Sequence, residues 1–174
     1  MSRLVFLDFE TTGLDPVTCE PIEVAAVVTN NAFEELDAFS ALIQPGREPY
    51  LWEPAARAMH DASGLTTACI ERGVPREFVG RALISFLSRH HAASVLHLAG
   101  NSVHFDRSFL VAYWPRVADM FHHRHLDVSS VRMLGERVTT ARQLGGDRPH
   151  RAMQDVRRSI AELKHWTKAL RGDA

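Results

Sequence analysis

The sequence predicts an α/β protein with a mixed sheet of about five strands, an antiparallel meander at the N-terminal end and flanking helices. Three observations predict it. Apolar, β-branched runs follow one another through the first 43 residues. Beyond residue 54, runs with helical spacing alternate with short strand-like runs, and turn residues fall between them. With 174 residues, 45% of them hydrophobic, the chain suits one domain over 1–174 with a substantial core.

Leu4-Val5-Phe6-Leu7-Asp8-Phe9-Glu10 is an apolar run ending in acid, and Thr11-Thr12-Gly13 turns behind it, so it reads as a buried strand. Residues 22–29 are β-branched and apolar enough for a second strand, and residues 33–43 alternate more loosely as a third. Asn30-Asn31 is a hairpin signal between them, and Gln44-Pro45-Gly46 ends the meander. Pro54 suits the first residue of a short helix to His60, which Ala62-Ser63-Gly64-Leu65 breaks ahead of another. Pro75 begins a longer helix with Phe78, Val79, Ala82, Leu83, Phe86 and Leu87 at helical spacing. Residues 94–100 form a compact strand, Asn101-Ser102 a turn, and Asp106 opens a helix carrying Phe109, Leu110 and Tyr113 that Pro115 stops. Leu126-Asp127-Val128 is a short edge strand, with Ser129 or Ser130 capping the helix beyond. Gly145-Gly146 is a flexible link. His150 then precedes a final helix to about Leu170, with an apolar stripe of Met153, Val156, Ile160, Leu163 and Trp166 or Ala169.

Composition narrows the function classes. No apolar run approaches a membrane span, and Met1-Ser2-Arg3 leads into the first strand without a signal-peptide pattern, so a cytoplasmic location is expected. Cys19 and Cys69 lack CxxC spacing, which argues against thiol metal binding, redox chemistry and a disulfide framework. The net charge of −1 hides an asymmetry: residues 1–60 hold ten acids against three arginines, and residues 129–171 hold ten bases against four acids. A basic region of that kind is most simply a solvated helix face. The overall balance disfavours a long polyelectrolyte footprint, so a nucleic-acid partner is expected to be short or bound by its end.

The acids at the end of the first strand carry the chemistry. Asp8 and Glu10 point to one side of the strand, roughly 7 Å apart along the backbone, and two such charges against a core need a positive group between them. They mark either a strand end reaching solvent or an oxygen-ligand divalent-metal site. Asp106 follows a strand at a helix start, and Asp155 lies between Met153 and Val156 on the last helix. Taken singly they read as a helix N-terminal acid and a salt-bridged acid. Taken with the first pair, they form a set that can hold two Mg²⁺ or Mn²⁺ ions about 4 Å apart for phosphodiester cleavage. His150 stands five residues before Asp155, about 140° away on an ideal helix, so it belongs to the preceding loop. A neutral imidazole there can take a proton from the attacking water.

Asp8-Phe9-Glu10-Thr11-Thr12-Gly13-Leu14, Asp106 within Gly-Asn-Ser-x-x-x-Asp-Arg-x-Phe-Leu, and His150 followed by Asp155 resemble the three exonuclease motifs of the DEDD superfamily in its histidine-bearing branch. Within that branch the chain is most similar to the oligoribonucleases over nearly its whole length, through His60-Asp61-Ala62-Ser63-Gly64-Leu65, His125-Leu126-Asp127-Val128-Ser129 and His150-Arg151-Ala152-Met153-Gln154-Asp155. The resemblance implies a ribonuclease-H-like fold and 3′-to-5′ hydrolysis of short single-stranded RNA or DNA ends to nucleoside 5′-monophosphates. It implies Asp8, Glu10, Asp106 and Asp155 as metal ligands for two Mg²⁺ or Mn²⁺ and His150 as general base. It implies Leu14 as a wedge between bases, His60 as a pocket residue, and Ser102, Arg124, Ser129 and Ser130 as a cap on the substrate's 5′ phosphate. It also implies a homodimer in which the Arg124 region reaches the neighbour's site.

Two departures bear on substrate. Ala55 and His123 stand where the family places a Trp and a Tyr, and a stacked aromatic is worth about 1–3 kcal/mol per base. Trp52, about one helical turn before Ala55, is expected to compensate in part. His122, His123 and His125 read as a solvated loop or dimer contact. The alternatives are a 3′-to-5′ DNA exonuclease of proofreading, repair or phage type, a ribonuclease-H-like endonuclease, which would lack the His before its last acid, and a nucleic-acid-binding module without turnover. That last class is expected to break the five-residue acid and histidine set, which is intact here.

Overall fold

The computed structural model describes residues 2–145 and 150–172. Five strands, β1 (Ser2–Thr11), β2 (Pro21–Thr29), β3 (Glu35–Leu42), β4 (Val95–Gly100) and β5 (Leu126–Asp127), form one sheet in the order β3-β2-β1-β4-β5. The first three are antiparallel neighbours, while β4 runs parallel to β1 and β5 parallel to β4. The helices are α1 (Pro54–Ala62), α2 (Leu65–Arg72), α3 (Arg76–His91), α4 (Val103–Tyr113), α5 (Pro115–Ala118), α6 (Val128–Val138) and α7 (Ala152–Arg171). This is the predicted mixed sheet with its antiparallel opening.

Alternation along the strands sorts side chains into two cores. Val5, Leu7, Phe9, Val24, Ala26 and Leu98 face one way, onto Leu83, Phe86 and Leu87 of α3 and Phe109 and Leu110 of α4. Phe6, Ala25, Val27 and Ala99 face the other way, onto Val156, Ile160 and Leu163 of α7. Asp8 and Glu10 share the face of Phe6, so the sheet itself directs them toward α7.

Several local expectations change. The third strand is shorter than residues 33–43, because Asn30 takes over the turn: its Oδ1 accepts the Ala32 and Glu34 N–H groups, and Phe33 sits at φ 59°. Helix α4 starts at Val103, so Asp106 lies within its first turn. Val128 begins α6 instead of ending β5. Neither Ser129 nor Ser130 caps α6. Asp127 does, since its Oδ1 accepts the Ser130 N–H at 3.0 Å while its Oδ2 accepts the Val103 N–H at 2.9 Å. One carboxylate thus holds the starts of α4 and α6 together. On α3, Phe78 and Ala82 of the expected stripe face outward, Phe78 with the Arg81 guanidinium 4.3 Å from its ring, while Val79, Leu83, Phe86 and Leu87 pack inward. Gly146 of the expected link lies outside the described residues.

Candidate active site

Strand β4 pairs with β1 only as far as Phe6, which leaves later N–H groups of β1 in need of acceptors on that edge. Asp106 supplies one: its Oδ1 accepts the Phe9 N–H at 2.9 Å, and the residue is 3% exposed. On the α7 face, the carboxylate oxygens of Asp8, Glu10 and Asp155 lie within 4.8 Å of one another. Burial, followed by the charges of Asp106 and Glu10, holds the Asp8 carboxyl well above the usual carboxylate range. Burial and then Asp155 push Glu10 up to about 8, with Arg151 partly offsetting them. Burial also raises Asp106, against the lowering effect of the Phe9 N–H. An all-oxygen set whose members repel one another fits a hard divalent cation, which would relieve that repulsion. Asp8, Glu10 and Asp155 would hold it, with Asp106 beside Asp8.

Asp8, Glu10 and Asp155 line a cavity of about 560 Å³, and Asp106 lies outside that lining. His150, half-buried and at φ 51°, also lines it just ahead of α7. Leu14 projects at the rim, 73% exposed, and Ala55, Ala56 and Met59 of α1 continue that side. Phe105, Ser102, Ser129, Arg132 and Arg158 also line it, with Asn101 and Glu53 among the rest. The Ser129 hydroxyl donates to Asn101 Oδ1 and accepts the Ser102 N–H, so its one hydrogen is already committed.

Other expected contacts lie elsewhere. His60 is fully buried behind the acids. Its Nε2 donates to the Thr11 carbonyl at 2.8 Å, and its Nδ1, with no hydrogen-bond partner among the described residues, faces Glu10 Oε2 at 3.8 Å. The ring therefore supports the β1 end and does not line the cavity. Trp52 cannot replace the missing aromatic: at 4% exposure it is core, packed with Ile22, Leu65 and Cys69, and its indole N–H bonds the Arg47 carbonyl. Ser130 and Arg124 also lie outside the lining, both exposed. His123 is exposed, its ring tilted against that of His122 with centroids 4.1 Å apart.

Some residues that shape this site escape a reading by motif. Glu53 Oε1 accepts the Leu14 N–H at 3.1 Å and the Cys19 thiol at 3.3 Å, while its own N–H donates to the Thr12 carbonyl. Gly13 is required there, because a Cβ would overlap the Glu53 carboxyl and the Cys19 sulfur. Arg132 reaches the cavity tethered to the buried Glu162 at 3.1 Å, and Asn101 donates to the same carboxylate. Its spacing of three from Ser129 on one helix is a signal that could have found it.

Residues 5–163 match the family model described as RNase T, exonuclease. An oligoribonuclease of Coxiella burnetii is 36% identical over 171 residues, which cover 94% of this chain and 92% of the relative. One from Bordetella pertussis is 35% identical over 173 residues, with 97% and 96% covered. Among solved structures, the zinc-bound complex of E. coli exonuclease I with single-stranded DNA superposes with a TM-score of 0.74 at 18% identity, covering 99% of this chain and 41% of that one. Exonuclease I of Methylocaldum szegediense gives 0.72 at 19%, covering 94% and 40%. The chain thus spans about two-fifths of the length of these structural neighbours, and at such identity they show the fold.

Proposed function

Because the chain belongs to the RNase T family of exonucleases and is an oligoribonuclease-like 3′-to-5′ exonuclease, we propose that it hydrolyses short single-stranded RNA from the 3′ end, in the cytoplasm, releasing nucleoside 5′-monophosphates. The observation that carries this reading is the convergence of Asp8, Glu10 and Asp155 within 4.8 Å on a cavity wall that also bears His150. Family membership implies divalent metal; two Mg²⁺ or Mn²⁺ ions held by these acids and Asp106 would activate the attacking water and stabilise the leaving oxygen. His150 takes the proton from that water, a role worth about a hundredfold or more in rate. Leu14 packs on a base at the rim, and the open wall at Ala55 and Ala56 admits either base size. Ser102 and Arg132, which both line the cavity, offer donors to a substrate phosphate. Arg124 is exposed outside its own chain's cavity, which supports a homodimer in which it serves the neighbouring site.

The test is Mg²⁺-dependent release of 5′-monophosphates from a diribonucleotide. Asp8→Ala, Glu10→Ala, Asp155→Ala and Asp106→Asn, the last keeping an acceptor for the Phe9 N–H, are each expected to abolish it. Substantial turnover in any of the four would overturn the metal assignment.

A further inference from the structure

A histidine in a loop acts as a base only if something fixes where its ring stands. His150 takes a left-handed backbone conformation (φ 51°), which is unfavourable for a residue with a Cβ and persists only where neighbours impose it. The next two residues show what imposes it. The Arg151 Nε lies 3.1 and 3.3 Å from the two Glu23 carboxylate oxygens, and its Nη2 donates to Oε1 at 2.9 Å. The Ala152 N–H, at the first residue of α7, donates to Glu23 Oε2 at 3.0 Å. The Arg151 backbone N–H donates to Asp155 Oδ2 at 3.2 Å.

Glu23 is 6% exposed on β2, on the strand face that looks toward α7, and pairs across the sheet with Glu10. Its carboxylate receives three N–H groups from the loop-to-helix junction, so the start of α7 is tied to the strand beside the acid cluster. A bidentate guanidinium fixes direction as well as distance. Neither Glu23 nor Arg151 lines the cavity. Their effect on substrate must pass through another residue. A buried ion pair is a weak source of net stability but a good means of fixing one arrangement.

We infer that Glu23 and Arg151 form a positioning pair for His150, setting the angle at which the loop delivers the imidazole to the cavity wall. The inference rests on His150 being the general base. It predicts that losing the pair matters to the rate only while His150 is present.

The test is a double-mutant cycle on single-turnover cleavage of a diribonucleotide in saturating Mg²⁺, with Arg151→Gln, His150→Ala and the double variant. Arg151→Gln is expected to slow cleavage about twentyfold or more alone and less than about twofold in the His150→Ala background, with KM and calorimetric Mn²⁺ affinity held within about threefold. Arg151→Lys, which keeps the charge without the fork, is expected to fall between Gln and the parent, and it serves the same cycle if the Gln variant does not fold. An undiminished factor in the His150→Ala background, or no effect of Arg151→Gln at all, overturns the inference, as does a loss that tracks KM or Mn²⁺ affinity. If His150→Ala alone leaves the rate unchanged, the base assignment itself fails and the inference falls with it.

Discussion

Raising the pH of the metal-free protein should destabilise it, and metal should reverse the loss. The Glu10 carboxyl rises from 4.5 to about 8 through burial and the charges of Asp155 and Glu23. Between those values the folded chain holds a proton that the unfolded chain has released. The contribution is therefore complete below pH 4.5, declines as pH rises through the interval and is gone above about 8. At about 1.4 kcal/mol for each tenfold change in proton affinity, the full span is about 5 kcal/mol, and the part between pH 5.5 and 8 is about 3 kcal/mol. For a chain of this length that is a fall of roughly 10 °C in melting temperature. Asp8 and Asp106 are raised in the same direction and add to the trend.

The assay is thermal melting at intervals from pH 5.5 to 8.5 in chelator, for the parent and for Glu10→Gln, with and without Mn²⁺. The parent should lose stability with pH and Glu10→Gln should lose distinctly less, since its amide does not titrate. A fixed Mn²⁺ concentration about a hundred times the dissociation constant at pH 8 should restore about 2.7 kcal/mol there and less at pH 5.5, because metal and protons compete for the same oxygens. A parent that melts no lower at pH 8 than at pH 5.5, or an Mn²⁺ effect of equal size at both, would refute the shared acid site.

Other consequences can be checked together. His150→Ala should slow the reaction by about a hundredfold or more while leaving Mn²⁺ affinity nearly intact by calorimetry; equal loss of both would make His150 a structural residue. Glu53→Ala removes a charged acceptor from the Leu14 N–H, an interaction worth about 1.5–3 kcal/mol, and should raise KM for a diribonucleotide about tenfold or more with kcat little changed, while Glu53→Gln should stay close to the parent. Unchanged KM in the Ala variant would separate the rim from binding. Trp52→Ala should cost about 3–5 kcal/mol in denaturant unfolding, as a core truncation does, without a specific loss of dinucleotide affinity in the folded fraction. A selective affinity loss would return Trp52 to the site.

Much of this site is legible in the sequence because it obeys periodicities. An apolar run that ends in Asp8 and Glu10, two residues apart, fixes their shared strand face without knowledge of any partner, and Asp155 among apolar helix neighbours points inward for the same reason. The antiparallel meander follows from the same runs, whereas the place of β4 beside β1 does not. Interactions between elements distant in sequence were not legible. That Asp127 would cap α6 in place of the nearby serines depends on β5 bringing it to the start of α4, a contact made only in three dimensions. Trp52 has good spacing to Ala55, yet Pro54 starts the helix after it and the indole falls into the pocket left by Ile22 and Leu65. His60 fits its helix equally well on either side, and only the Thr11 carbonyl decides which way the ring turns. Glu23 sits in a strand whose other residues are all apolar from Val24 to Val28, and its purpose appears only when Arg151, 128 residues away, arrives beside it.

The measurement that bears most directly on the account is a side-by-side digestion of end-labelled RNA and DNA, from two to about twenty nucleotides, in Mg²⁺ and in Mn²⁺. The cavity of about 560 Å³, lined by the acids, His150, Ser102 and Arg132, should hold only a short substrate. The account predicts 3′-to-5′ release of monophosphates from RNA at a rate that collapses beyond a few nucleotides. A flat length profile, or a preference for DNA at every length, would contradict it.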